Sequence, residues 1–226
     1  MSDSRCPFLC VLLLVCLFAA TPAQPEEWAR DLTTVELRKQ ALSQLTTEQA
    51  QLQAEGNNVA LVKNINRIVE VHLMLSDFDA ALAAANDARA RAEQFRNSES
   101  APLLVDTLTL VSRVYIRRDE NRLALPLLQD ALALSRNLQY LTGEAESLAE
   151  IGAANFELSK LEEAEQSTQD ALTIWQALQD KRGEARTLIT QADIHGLAGN
   201  IEQATTELRR AESLWRELND SVQLAT

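Results

Sequence analysis

The apolar positions of this chain fall at helical spacing. In residues 143–180, Leu148, Ile151, Gly152 and Asn155 mark one face of a first helix, which Leu158 closes. Leu161, Ala164, Thr168, Ala171, Leu172, Trp175 and Leu178 then mark one face of a second. Steps of three, four and seven residues predict amphipathic helices and not the alternation of a strand. Only Ser159 and Lys160 separate the two sets, so the stretch is predicted to form two antiparallel helices joined by a tight turn. Glu144 and Glu184 fall in the first turns of predicted helices, where the positive end of the dipole favours an anion.

The same pattern then runs again. Gly143, Glu144 and Ala145 return as Gly183, Glu184 and Ala185, Leu148 as Leu188, Ala164 as Ala204, Ala171 as Ala211, Trp175 as Trp215 and Leu178 as Leu218, each 40 residues on. Internal repetition of this length dictates the architecture. Leu108, Val111, Val114, Ala124, Ala131, Leu132 and Leu138 lie 40 residues before positions of the central unit. One unit earlier the offset is 43, aligning Ile65, Ile68, Val71, Leu75, Phe78, Ala81, Ala88 and Phe95. The longer offset fits a surface loop in the polar stretch 97–102. The expected organisation is four helix pairs over 60–102, 103–142, 143–182 and 183–220. Residues 24–59 precede them as a capping helix or degenerate half-repeat, with Ala41 and Leu45 at second-helix positions, and 221–226 follow as the start of a further repeat or a tail. Pro126 removes a backbone donor inside one second helix, which is expected to start late or kink there.

Leu148, Ile151, Gly152, Asn155, Leu158, Leu161, Ala164, Thr168 and Ala171 carry a pattern that resembles the tetratricopeptide repeat family. The second unit keeps Tyr115, Ala124 and Ala131; the fourth keeps Gly199, Ala204 and Ala211. The resemblance covers about residues 36–226 and departs from the family in two ways: the period is 40 and not 34, and the helix-ending proline is missing. The 40-residue form, with its 175–185 phrase, is similar to bacterial arrays that precede peptidase-like or signalling domains. The resemblance implies an all-α fold, a right-handed α-solenoid of stacked antiparallel helix pairs.

Residues 1–23 are expected to be an export signal: Arg5, an apolar run from Phe8 to Ala20, and the small residues Thr21, Pro22 and Ala23 before Gln24. The run is shorter than the ~20 residues of a spanning helix. Cleavage leads to a periplasmic or secreted protein; a retained leader is an uncleaved anchor. All three cysteines, Cys6, Cys10 and Cys16, lie in this leader, so the mature chain has no disulfide and no thiolate ligand. A net charge of −12 makes nucleic acid and anionic membranes poor partners.

His72 and His195 occupy the same slot of different units, the slot that holds Tyr115 and Asn155 elsewhere, and are expected to pack between helices. Trp175 and Trp215 share another slot, read as a junction between pairs. Without a phosphate loop, a His-Glu-x-x-His run or a calcium loop, the sequence points to no enzyme and no cofactor or metal. In the resembling family, successive first helices line a concave groove that holds an extended peptide or a helix. Carried over, the groove positions are Lys63, Asn66 and Glu70; Asp106, Thr109, Arg113 and Ile116; Glu146, Ala153 and Phe156; and Arg186, Ile189 and Asp193. Arg113 and Arg117, one turn apart and flanked by Arg118, form a cationic spot that either grips a carboxylate of a partner or pairs with local acids such as Asp119 and Glu120. The family's carboxylate clamp is absent. The expected function is an exported, non-catalytic interaction scaffold for a protein or peptide. The alternative is a sensory or targeting repeat module, or fragment, of a longer signalling or peptidase-like enzyme.

Overall fold

The computed structural model of the chain describes residues 35–218. The expected export signal, its cysteines and the segment 221–226 lie outside them. Nine α-helices follow one another among the described residues: α1 (Val35–Glu55), α2 (Asn58–Met74), α3 (Phe78–Ala92), α4 (Ala101–Arg117), α5 (Asn121–Leu138), α6 (Leu141–Glu157), α7 (Leu161–Leu178), α8 (Lys181–Leu197) and α9 (Ile201–Glu217). A single 3-10 turn, Glu93–Phe95, follows α3 and opens the longer loop before α4.

The helix ends follow from local chemistry. Asn57, Asp77 and Asp180 precede α2, α3 and α8, and their carboxyl or amide oxygens accept from Ala60, Ala80 and both Arg182 and Gly183 N–H groups. Such caps satisfy donors that the first helical turn leaves unpaired. The turns between paired helices reverse through a left-handed residue: Ser76, Asp119, Ser159 and Gly199, with φ from 57° to 83°. Gln139 and Gln179 do the same between α5 and α6 and between α7 and α8. Helix α5 does not start late: it begins at Asn121 and runs through Pro126. Pro126 and Arg122 are both exposed, so the Arg122 carbonyl left without a donor faces water.

Each helix packs on the next, giving α2/α3, α4/α5, α6/α7 and α8/α9 as antiparallel pairs. The second helices contribute small buried residues, Ala81, Ala88, Ala124, Ala131, Ala164, Ala171, Ala204 and Ala211. These let the larger side chains of the first helices, among them Leu61, Ile65, Leu104, Leu108 and Leu188, close against them. Helix α1 packs on α2 and buries Leu45 alone; its Glu48 accepts from Asn64 at 2.8 Å and its Arg38 donates to the Met74 carbonyl. Successive first helices also touch one another, α2 with α4, α4 with α6 and α6 with α8, while successive second helices do not pack together. The stack therefore curves with α2, α4, α6 and α8 on its inner side.

Glycine has a packing reason at Gly143, Gly152 and Gly183 on this inner layer. A Cβ on Gly183 would lie 2.5 Å from the Trp175 ring, and one on Gly152 would lie 2.5 Å from the Thr168 methyl. The Trp175 ring is rigid and only 2 % exposed. Gly183→Ala is therefore expected to cost about 1–3 kcal/mol, read as a lowered urea midpoint.

Candidate functional site

The repeat register sets residues of successive first helices beside one another. One row across the concave face reads Lys63, Asp106, Glu146 and Arg186; another, two helical turns on, reads Glu70, Arg113, Ala153 and Asp193. Between these rows lies an ion-pair network across three helices. Arg113 on α4 donates through Nη2 to Glu146 at 3.1 Å and through Nε to Glu150 at 2.7 Å, both on α6. Arg186 on α8 donates to the same two carboxylates at 3.3 and 3.2 Å. Burial alone would raise the Glu146 carboxyl, but Arg186 and Arg113 outweigh it and hold it below the ordinary range. Burial likewise opposes the Arg113 charge, and Glu150 and Glu146 more than restore it.

This network corrects the expected cationic spot. Arg113 is turned to acids of the next first helix and not to Asp119 or Glu120. Arg118 is the residue that pairs locally, with Glu120 at 3.0 Å, and it also reaches Asp79 on α3. Arg117 lies over the Phe78 ring, 5.8 Å from its centroid, toward α3. The two arginines one turn apart are thus directed to different partners, because a turn-spaced pair straddles two helix junctions.

Thr109 also departs from its expected place in the groove. It is 4 % exposed, donates to the Val105 carbonyl and meets the Ser147 hydroxyl at 3.4 Å, so it stitches α4 to α6. Asn66 is half-buried and donates to Thr107 at 2.9 Å, doing the same between α2 and α4. Lys63, Asp106 and Asp193 are exposed on the inner side, and Glu70 is half-buried. Asp106 accepts from the Tyr140 hydroxyl at 3.0 Å. Its carboxyl is pushed up to about 6, mainly by the surrounding protein and then by Glu146, against the Tyr140 hydrogen bond and Lys63. The protein around it also raises the Asp193 carboxyl, exposed as its side chain is, and Asp193 has no hydrogen bond or ion pair among the described residues.

A shallow recess of about 60 Å³ opens between α6 and α8, lined by Glu146, Ala149, Glu150, Ala153, Trp175, Gly183, Arg186, Thr187 and Thr190. Only Glu146, Ala153 and Arg186 of these were among the sequence-derived groove positions; Glu150 and Trp175 are two of those that were not. Glu150 lies one turn from Glu146, and that spacing was the available signal; Trp175 comes from a second helix, which a first-helix template passes over.

His195 is 6 % exposed on α8, with Nδ1 2.9 Å from Glu207 on α9 and Nε2 3.4 Å from Glu165 on α7. His72, on α2, has Nδ1 3.5 Å from Asp77, so the two histidines serve separate junctions. Burial would lower the His195 pKa, but the two carboxylates raise it above the ordinary value. A raised folded-state value means that the stabilisation is fully present below the unfolded pKa of about 6.5 and lost as pH rises through the folded one. Wild type is expected to exceed His195→Gln in urea midpoint at pH 5.5 by more than at pH 8.5. Taking the difference at each pH cancels the titration of Asp106.

No group of three or more His, Cys, Asp and Glu that would hold a metal ion occurs among the described residues, and none of their helices is long and apolar enough to cross a membrane. The chain matches no family model and no curated protein. Among solved structures it is similar to a Rap protein complexed with competence and sporulation factor, with TM-score 0.71 and 15 % identity over 83 % of this chain and 52 % of that one. It is similar also to the apo form of RapI, with TM-score 0.63 and 19 % identity over 80 % of this chain and 50 % of that one. The chain thus spans about half the length of both. A putative kinesin light chain with TPR-like repeats from Podosopora anserina aligns with TM-score 0.61 and 13 % identity over 87 % of this chain and 95 % of that one. The described residues therefore have the fold of the tetratricopeptide-like repeat proteins, an all-α solenoid of stacked antiparallel helix pairs.

Proposed function

We propose that the chain is an exported, non-catalytic scaffold that holds an extended peptide or a helix of a partner protein along the concave face of α2, α4, α6 and α8. The observation that carries this reading is the inner surface itself. Four first helices lie side by side and present a mixed polar and apolar face, with a recess between α6 and α8. The Rap structure, similar in fold, is complexed with competence and sporulation factor, which supports a stack of this kind as a receiver of a partner. Export rests on the leader over 1–23, and amino-terminal sequencing of the protein recovered from cells tests it: a chain beginning near Gln24 agrees, one beginning at Met1 in the cytosol does not.

The test of the groove is capture from an envelope extract by the full chain and by two double variants. Ala153→Arg/Ile189→Arg crowds the concave face, and Gln166→Arg/Thr173→Arg alters exposed positions of α7. A partner retained by the α7 variant and lost by the concave variant agrees with the proposal. Equal loss, or loss only in the α7 variant, contradicts it. Circular dichroism of both variants checks that the helices persist.

A further inference from the structure

Helix α9 leaves open to water a slot that every earlier unit buries. Ala85, Leu128 and Thr168 hold the slot of Leu208 on α3, α5 and α7 and are at most 1 % exposed, whereas Leu208 is 48 % exposed. Ala85 packs with Leu110, Val111 and Val114 of α4, and Leu128 with Ala154 of α6, so the first helix of the following unit covers the slot. Ile201 lies two turns before Leu208 on the same side of α9 and is also exposed, while Leu161 in its slot is half-buried and Asn121 buried. Among the described residues no first helix follows α9 to cover this pair. Two apolar side chains seven residues apart make the seam of a helix-to-helix contact.

The charges beside the seam decide which helix fits it. Most charged side chains of α9 are used within the chain: Glu207 with His195, Arg210 with Glu184, Glu212 with Arg216 and Glu217 with Lys181. Glu202 and Arg209 are exposed, and their side chains have no hydrogen bond or ion pair among the described residues. They too are seven residues apart, each next to one member of the apolar pair. An acid and a base at this spacing on one edge are complementary to the same edge run antiparallel, and repel it when run parallel. Helix α9 also carries four acids against three arginines, so it is nearly neutral in a chain of net charge −12 and opposes the approach of a copy little.

We propose that the open side of α9 binds a second copy of this chain, the two α9 helices packing antiparallel about a two-fold axis, with Ile201 and Leu208 as the apolar seam and Glu202 of each copy paired with Arg209 of the other. A two-fold contact of this kind uses the same patch on both copies, so each pairing occurs twice. The patch is one helix face, smaller than the ~1,200 Å² at which stable interfaces begin, and association is therefore weak and grows with concentration. The contact is separate from the concave side and does not depend on what binds there.

The test is sedimentation equilibrium of the full chain over a concentration series, beside variants at exposed positions that leave the core untouched. The wild type is expected to pass from monomer to dimer, and Leu208→Glu to abolish the dimer. Glu202→Arg alone and Arg209→Glu alone each set like charges opposite one another twice, and each is expected to weaken association about tenfold. An equimolar mixture of these two variants restores opposite charges at both places, and it is expected to dimerise as the wild type does. The double variant Glu202→Arg/Arg209→Glu is expected to do the same. Recovery in the mixture also shows that the single variants are folded. A chain that stays monomeric at every concentration overturns the proposal and leaves the face to residues after 218 or to a different protein. A dimer that survives Leu208→Glu places the contact elsewhere and overturns it as well. Weakening by both single variants without recovery in the mixture overturns the antiparallel pairing.

Discussion

Trp175→Ala is expected to destabilise the chain by about 3–5 kcal/mol, the range for truncating a buried indole. The ring packs with Ala145, Leu148 and Ala171 and lies against Gly183, so one side chain joins α6, α7 and α8. Its loss removes apolar burial and opens a cavity that the alanine and glycine neighbours are too small to fill. Because the indole nitrogen has no acceptor among the described residues, Trp175→Phe forfeits no hydrogen bond and is expected to cost only about 1 kcal/mol. Trp215, in the same slot of the next pair, packs with Leu172, Ala185, Leu188 and Ala211 and carries Arg182 over its ring at 5.5 Å. Urea melts of Trp175→Ala and Trp175→Phe measure the pair; similar losses in both would mean that the nitrogen and not the ring volume matters.

Arg113→Ala has the next largest expected effect, about 2 kcal/mol at neutral pH. Removing one cation leaves Glu146 and Glu150, with side chains 24 % and 10 % exposed, to share Arg186 alone. Breaking a fully buried pair costs ~3–5 kcal/mol, and the remaining access of water to this network reduces that. Arg186→Ala is expected to cost less, since its side chain is 39 % exposed against 26 % for Arg113. The pH dependence has a definite sign. The Glu146 carboxyl is depressed in the folded protein, so its contribution is present above the unfolded value of about 4.3 and disappears as pH falls through the folded one. Wild type and Arg113→Ala should therefore converge in urea midpoint as pH is lowered toward 3. A gap that persists there would assign the loss to packing of the arginine stem.

The parts of this structure that were legible in the sequence are those written within one unit. The helix pairs follow from apolar steps of three and four, and the Trp175 slot shows itself because Trp215 repeats it. The buried alanines of the second helices are legible for the same reason, since small residues recur where two helices approach. What escaped belongs to contacts between units. Arg113 reaches Glu150 across 37 residues and Arg186 reaches Glu146 across 40, and no local spacing announces that these side chains meet. The family template put Thr109 in the groove, but a back-bond to Val105 draws its hydroxyl into the junction between helices. That α5 starts before Pro126 was hidden for a different reason: the proline and Arg122 lie on the exposed side of the helix, which a residue type does not record.

The most direct measurement is hydrogen exchange of the full chain, free and with a captured partner. The concave account predicts slowed exchange along α4, α6 and α8, strongest near Glu150 and Thr190, with α3, α5 and α7 unchanged. Protection running along α3, α5 and α7 with the inner helices unaffected would place the partner on the outer side and contradict it.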